Sequence, residues 1–361
     1  MLYLKSNIKT KIISGVLGII SNILVFANTG NTLFKSEKFT YDGHIFFNAT
    51  NSAIQGEKYL LNQQLSNIKL GSELHVTDWN KIKGLLIFNT LPTPVAPQLY
   101  LEQFYDEFQI PSSNAFFSIG KKWLTFGSYK SDLIYKPLTK ALGQTNEVTA
   151  VFGYDSSFYT NASFFEPYSR VKSSSLPLYY NLNTGLHNET VDVGASYLYS
   201  LADSQLFQYN KGFGGFLSHS LKTRVPGFAT YLNVKHKKTS TYLTYVSAVS
   251  PFAIEDLSYN NKRALPKAFS VQSSYDINTK KIPIKITGFY DYSFQALALG
   301  LPEQRIGVGL SANPSPYLSI QFQYSKDYGY GNNAIATGLN HFVSGRNIKT
   351  NNFALQAVLN F

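Results

Sequence analysis

Apolar and polar residues alternate along this chain with a period of two, and the recurrence of that rhythm decides what the chain can fold into. Near the start, Phe39, Tyr41, Gly43, Ile45 and Phe47 alternate with Thr40, Asp42, His44, Phe46 and Asn48. The rhythm returns at Ile82, Gly84, Leu86 and Phe88, and at Val191, Val193, Ala195, Tyr197 and Tyr199 against Asp192, Gly194, Ser196 and Ser200. It returns again at Ile284, Ile286, Gly288 and Tyr290, and at Leu318, Ile320, Phe322 and Tyr324 against Ser319, Gln321, Gln323 and Ser325. A strand sends successive side chains to opposite faces, so each segment carries one apolar and one mostly polar face. Beyond residue 27, apolar runs such as 84–88 are broken within a few residues, far short of the ~20 that a membrane helix needs. If the mature chain crosses a membrane, it does so as strands.

A soluble antiparallel sandwich alternates too, and four features decide between it and a membrane barrel. The apolar faces often begin or end in Tyr or Phe, as an interfacial girdle does. The chain holds 26 Tyr and 27 Phe at a mean hydropathy of -0.12, which requires apolar and polar residues to be interleaved. No segment offers a helical period able to cover a sheet. The chain ends in Phe353, Leu355, Ala357, Leu359 and Phe361, an alternating last strand that resembles the signal read by the outer-membrane barrel-assembly machinery. The expected fold is all-β: a closed antiparallel transmembrane β-barrel in an outer membrane, surrounded by lipid and lipopolysaccharide. It has room for about 16 strands and no separate plug domain, since a plugged 22-stranded receptor needs a longer chain.

Residues 1–27 read as a secretory signal peptide: Lys5, Lys9 and Lys11 precede an apolar run from Ile12 to Phe26. Residues 28–361 read as one barrel domain. Candidate strands fall near 39–49, 66–77, 81–90, 99–109, 115–124, 148–154, 157–165, 177–187, 190–201, 212–222, 227–237, 240–248, 267–276, 283–292, 303–312, 316–326 and 352–361. That is one too many for an even-stranded barrel, and the short 148–154 segment is the one to discard. Tight turns are legible at 77–80, 154–157, 278–280 and 313–316, where Asn, Asp, Ser and Pro supply the backbone geometry. The long polar stretches 127–146, 166–176, 250–266 and 328–351 are expected as extracellular loops, with one or two folding inward to narrow the bore.

The net charge of +11 favours anionic partners. Nucleic acid is not among them, because the basic residues are scattered and no reader motif is present. Parity sets Lys81, Lys83, Lys122, Lys285 and Arg305 opposite the apolar stripes, hence toward the lumen, where a ring of cations prefers anions. Each of these charges has an alternative as an ordinary solvated group paired with a neighbouring acid. Catalysis is not expected. His44, His75, His187, His219, His236 and His341 lack zinc-binding spacings, and Ser218, His219 and Ser220 point alternately to opposite faces, so they form no dyad. Neither a metal nor a cofactor is expected.

Two blocks carry a family resemblance. Phe117 to Gly127, followed by Lys136-Pro137-Leu138-Thr139 and Leu142-Gly143-Gln144-Thr145, resembles the "GKQYVPFG … DPLT … LGETRE" block of the LbtU-type siderophore porins. Ala296 to Arg305 is similar to that family's "ALALGLPEKR". The chain departs from it in Trp123-Leu124-Thr125 for Tyr-Val-Pro, in Lys136 for an Asp, and in Asn146-Glu147 for Arg-Glu. The resemblance implies uptake of a ferric, polycarboxylate-type siderophore. A general diffusion porin biased toward other small anionic solutes is the alternative, and a surface adhesin a third. Lys136, Glu303 and Arg305 join the candidate ligand contacts, with Arg305 and Glu303 expected side by side in the lumen. A guanidinium there would grip a carboxylate through two bonds.

Overall fold

The computed structural model describes residues 39–54, 60–90, 97–167, 170–171, 178–208, 215–216, 220–278, 282–339 and 341–361. The expected signal peptide lies outside them, as does part of the 278–280 turn. Sixteen strands close into one barrel: β1 (Phe39–Ile54), β2 (Leu60–Thr77), β3 (Asn80–Asn89), β4 (Leu99–Gln109), β5 (Ala115–Trp123), β6 (Asn146–Asp155), β7 (Phe158–Phe165), β8 (Tyr179–His187), β9 (Val191–Leu198), β10 (Gly227–His236), β11 (Thr239–Ala248), β12 (Lys267–Asn278), β13 (Pro283–Phe294), β14 (Gln304–Ser315), β15 (Leu318–Tyr328) and β16 (Lys349–Asn360). Each strand pairs antiparallel with its neighbours, and β16 pairs with β1. At that seam Gly43 N–H donates to the Phe361 carbonyl at 2.9 Å and Phe361 N–H returns to Gly43 at 3.0 Å.

Alternation becomes two environments. On β13 Ile286 and Phe294 are exposed on the outer wall, whereas Thr287, Phe289, Asp291 and Ser293 are buried inside. Ile306, Val308 and Leu310 on β14, and Ile320 and Phe322 on β15, continue the apolar exterior. Such a wall is stable in hydrocarbon, because a closed barrel leaves no unpaired strand edge, and it places the chain in an outer membrane. Trp79, Phe108, Phe117 and Phe152 form a ladder on this wall beside the short turns, with successive ring centroids 6.0, 6.0 and 4.8 Å apart. Pro314 lies in the β14–β15 register shift between Ala312 and Ser315, where its missing N–H costs no ladder bond.

The strand count needs one correction. The segment 148–154 is a true wall strand, inside β6, and the surplus candidate is 212–222. In that stretch Ser220–Leu221 forms a two-residue parallel pairing with Arg170–Val171 outside the barrel. Phe216 and Leu221 are fully buried in a loop core instead of facing lipid. Periodicity alone does not separate these two fates.

The long loops gather at one end, the extracellular end of an outer-membrane barrel. Leu257–Tyr259, Lys262–Arg263, Ile335–Gly338 and His341–Ser344 pair there into a four-stranded sheet. Beneath it lies an apolar core that includes Phe207, Phe216, Phe252, Leu257, Ala296, Leu299 and Tyr330. The mouth is therefore partly filled by packed side chains.

Candidate functional site

Residues 124–145, between β5 and β6, do not stay at the mouth; they fold into the bore and run along the inner wall. Gly127 N–H donates to Ser196 Oγ on β9 at 3.0 Å, and Lys130 pairs with Asp192 at 3.0 Å. Asn233 on β10 donates to Ser128 Oγ at 2.9 Å, and Thr244 on β11 donates to the Ser128 carbonyl at 2.5 Å. Further along, Ser131 donates to Gln272 on β12 at 2.9 Å, Asp132 receives Ser274 Oγ at 2.8 Å and Lys285 Nζ at 3.0 Å, and Tyr135 N–H reaches Gln323 on β15 at 3.0 Å. The chain then turns into the short helix α1 (Leu138–Gly143). Pro137 precedes it and fixes the first turn. Thr139 Oγ1 bonds Ser270 Oγ at 3.0 Å, and the Asp291 carboxylate accepts the Leu138 N–H.

This loop divides the lumen. A pocket between the loop and the wall, lined by Leu133, Tyr135, Pro137, Phe289 and Asp291 among others, holds about 10 Å³, room for no more than a water molecule. At the β14–β15 turn end of the barrel a cavity of about 430 Å³ is lined by Phe46, Asn313, Pro316, Gln321, Gln356 and Val358 among others.

The predicted cations fall into two groups. Lys83 contacts Glu107 at 3.0 Å and Glu73 at 3.8 Å, and Lys81 lies 3.6 Å from Glu73. Lys285 is held by Asp132 at 3.0 Å and Asp276 at 3.8 Å. All three face the lumen, but each is neutralised locally. Arg305 faces the lumen as well, and its partner corrects the expectation: Nε and Nη2 bond Asp327 at 2.7 and 2.9 Å, with the guanidinium 5.8 Å from the Tyr135 ring centre. Glu303 does not join it. That residue precedes β14 in the rim loop, its N–H donates to the Tyr328 carbonyl at 2.9 Å, and its charge acts on Tyr259, Tyr292 and Tyr330.

Lys122 and Lys136 behave differently. Lys122 Nζ stands 4.3 Å from the centre of the Tyr105 ring and donates to Ser118 Oγ at 3.1 Å. Lys136 leads into α1 and Lys140 lies within it. Among the described residues neither has a carboxylate within 4 Å. Burial lowers the pKa of both, Lys140 to about 8, and the charges of Lys136 and Lys69 push that of Lys140 down further. Lys69 projects from β2, opposite His44 on the luminal face, and its Nζ lies 5.1 Å from the Phe46 ring centre. Glu102 on β4 opposes these effects weakly. Three cations on a loop and the wall near it thus share one reach of lumen with little compensation, a region of positive potential. Lys69 and Lys140 escape the sequence reading, although Lys69 has the parity that singles out Lys83. Most of the block Ala296–Leu301 is buried in the mouth core, while Leu297, Gly300 and Leu301 also line a cavity of about 560 Å³ with Asp327 and Arg346.

No family model matches the chain. It is 30% identical over 240 residues to a UPF0422 protein of Coxiella burnetii, across 62% of this chain and 50% of that one. To a UPF0422 protein of Legionella pneumophila (strain Paris) it is 29% identical over 255 residues, across 64% and 47%. The chain therefore spans about half the length of the curated relatives it matches. Among solved structures it is similar to Salmonella typhi OmpF, with a TM-score of 0.60 at 8% identity over 90% of this chain and 97% of that one. The outer membrane channel DcaP of Acinetobacter baumannii gives 0.57 at 14% over 91% and 99%. An anion-selective porin from Comamonas acidovorans gives 0.57 at 9% over 90% and 99%. The shared fold is that of outer-membrane porins and channels.

Proposed function

We propose that the chain is a diffusion channel of the outer membrane selective for small anions, with carboxylate-bearing solutes as its preferred cargo. The observation that carries this reading is the set Lys69, Lys136 and Lys140, gathered at the inward-folded loop with no carboxylate within 4 Å among the described residues. Unpaired ammonium groups in a narrow, weakly screened passage raise the local concentration of anions and repel cations. The overall fold shared with the anion-selective porin from Comamonas acidovorans agrees with the reading.

A ferric polycarboxylate siderophore belongs to the same charge class, and the likeness of 117–127 and 136–145 to siderophore porins supports it as a specific cargo, because the second of these blocks forms the inward-folded loop and α1. Lys122 and Lys136 are its candidate contacts. Arg305, Lys81, Lys83 and Lys285 are paired internally and shape the bore instead.

Reconstitution in a planar bilayer tests both readings. A reversal potential favouring chloride under a KCl gradient is the expected result, and a cation-selective pore would overturn the proposal. Block of that current by a ferric polycarboxylate at micromolar concentration separates a siderophore channel from a general anion channel, which passes current unaltered.

A further inference from the structure

The outer wall carries a second cluster of positive charge, at the extracellular end of β15 and β16, with no carboxylate within 4 Å among the described residues. Register pairs Lys326 with Asn351 and Tyr328 with Lys349. Lys326, Tyr328, Lys349 and Asn351 share the parity of Ile320, Phe322 and Leu355, which are exposed on the lipid side. The two lysines are diagonal neighbours, a relationship that sets side chains about 7–8 Å apart at their base. Both ammonium groups lean over one ring, with Lys326 Nζ at 5.4 Å and Lys349 Nζ at 6.0 Å from the centre of Tyr328. Tyr324 OH donates to Asn351 Oδ1 at 3.0 Å, which fixes the floor between them. The acid that follows Lys326 in sequence, Asp327, points to the opposite face and is held by Arg305.

Two like charges set diagonally on a lipid-facing wall repel each other and lose hydration, so the arrangement attracts an anion. At that depth the available anion is a lipid headgroup. We infer that Lys326, Lys349 and Tyr328 form a clamp for the phosphate of an outer-leaflet glycolipid, with Asn351 adding a neutral donor beside it. The two ammonium groups converge on one phosphate while Tyr328 lies level with the boundary between headgroup and acyl chain. The site is independent of the channel, since its side chains share no face with the bore.

Native mass spectrometry of the detergent-purified barrel, titrated with diphosphorylated lipid A and with its dephosphorylated counterpart, tests the clamp. The wild type is expected to hold the phosphorylated form, and the double variant K326A/K349A to bind it about thirtyfold more weakly, the combined worth of two lysines at an anionic lipid surface. The conservative K326R/K349R variant is expected to retain binding, which excludes misfolding as the cause. Equal binding of the dephosphorylated lipid by the wild type, or unchanged affinity in the double alanine variant, would overturn the inference. Bilayer reversal potential should be the same in all variants, so this result stands apart from the selectivity of the bore.

Discussion

Leu133, on the inward-folded loop, occupies the notch that Gly309 leaves in the β14 wall: a Cβ placed at Gly309 would meet Leu133 Cδ2 at 2.6 Å. The contact seats the loop at the far side of the bore, next to the Asp132–Lys285 pair. Any larger side chain at 309 displaces Leu133 and loosens the constriction. Gly309→Val is expected to cost about 1–3 kcal/mol, the usual range for overpacking a well-filled site, and to raise single-channel conductance. A variant with unaltered conductance and melting temperature would show that the loop is seated without this notch.

Removing the unpaired cations acts on selectivity before stability. Substituting Lys69, Lys136 and Lys140 together by Gln is expected to lower the anion-to-cation permeability ratio by on the order of tenfold, equivalent to about 1.4 kcal/mol. Lys81→Gln, which removes a charge already opposed by Glu73, should change it far less. Reversal potentials of the two variants side by side check the difference.

The bore should also sense pH. Burial holds the Lys140 ammonium at a pKa of about 8, and Lys136 is shifted in the same direction. A lysine is cationic below its pKa and neutral above it, so anion preference is fully present on the acid side and declines as pH rises through about 8. A reversal-potential titration from about pH 6.5 to about 9.5 should show that inflection, and Lys140→Gln should remove most of it. A flat titration in the wild type would mean that Lys140 does not face the ion path.

Much of this architecture was legible in the alternation, because a barrel strand repeats one rule at every residue. Even β6 obeys it, with Val148 and Phe152 exposed and Glu147, Thr149 and Val151 buried. The stretch 212–222 misled for a physical reason: Phe216 and Leu221 are apolar because they fill the loop core, and a buried loop has no period. The block Ala296–Leu301 likewise has no period, because most of it is packed into the mouth core. Parity found the luminal face of Lys83, Lys285 and Arg305 but not their partners. Asp132 belongs to a loop whose path is set by distant hydrogen bonds, so it could not be recognised as the partner of Lys285, whereas Asp327 faces Arg305 directly across the β14–β15 register.

The Arg305–Asp327 pair offers the sharpest test of that last distinction. Both side chains are largely buried, at 16% and 17% exposure, and two hydrogen bonds join them. Such a pair contributes little beyond the cost of burying it, but removing one partner strands the other charge, typically at about 3–5 kcal/mol. Arg305→Ala should therefore lower thermal stability by roughly that amount and leave an unpaired Asp327 in the lumen, which also weakens anion preference. The double variant R305A/D327A should recover most of both losses, because no charge is left stranded. If Arg305 were instead a solute contact, the double variant would restore stability without restoring block or transport of a carboxylate solute, and paired melting and bilayer measurements distinguish these outcomes.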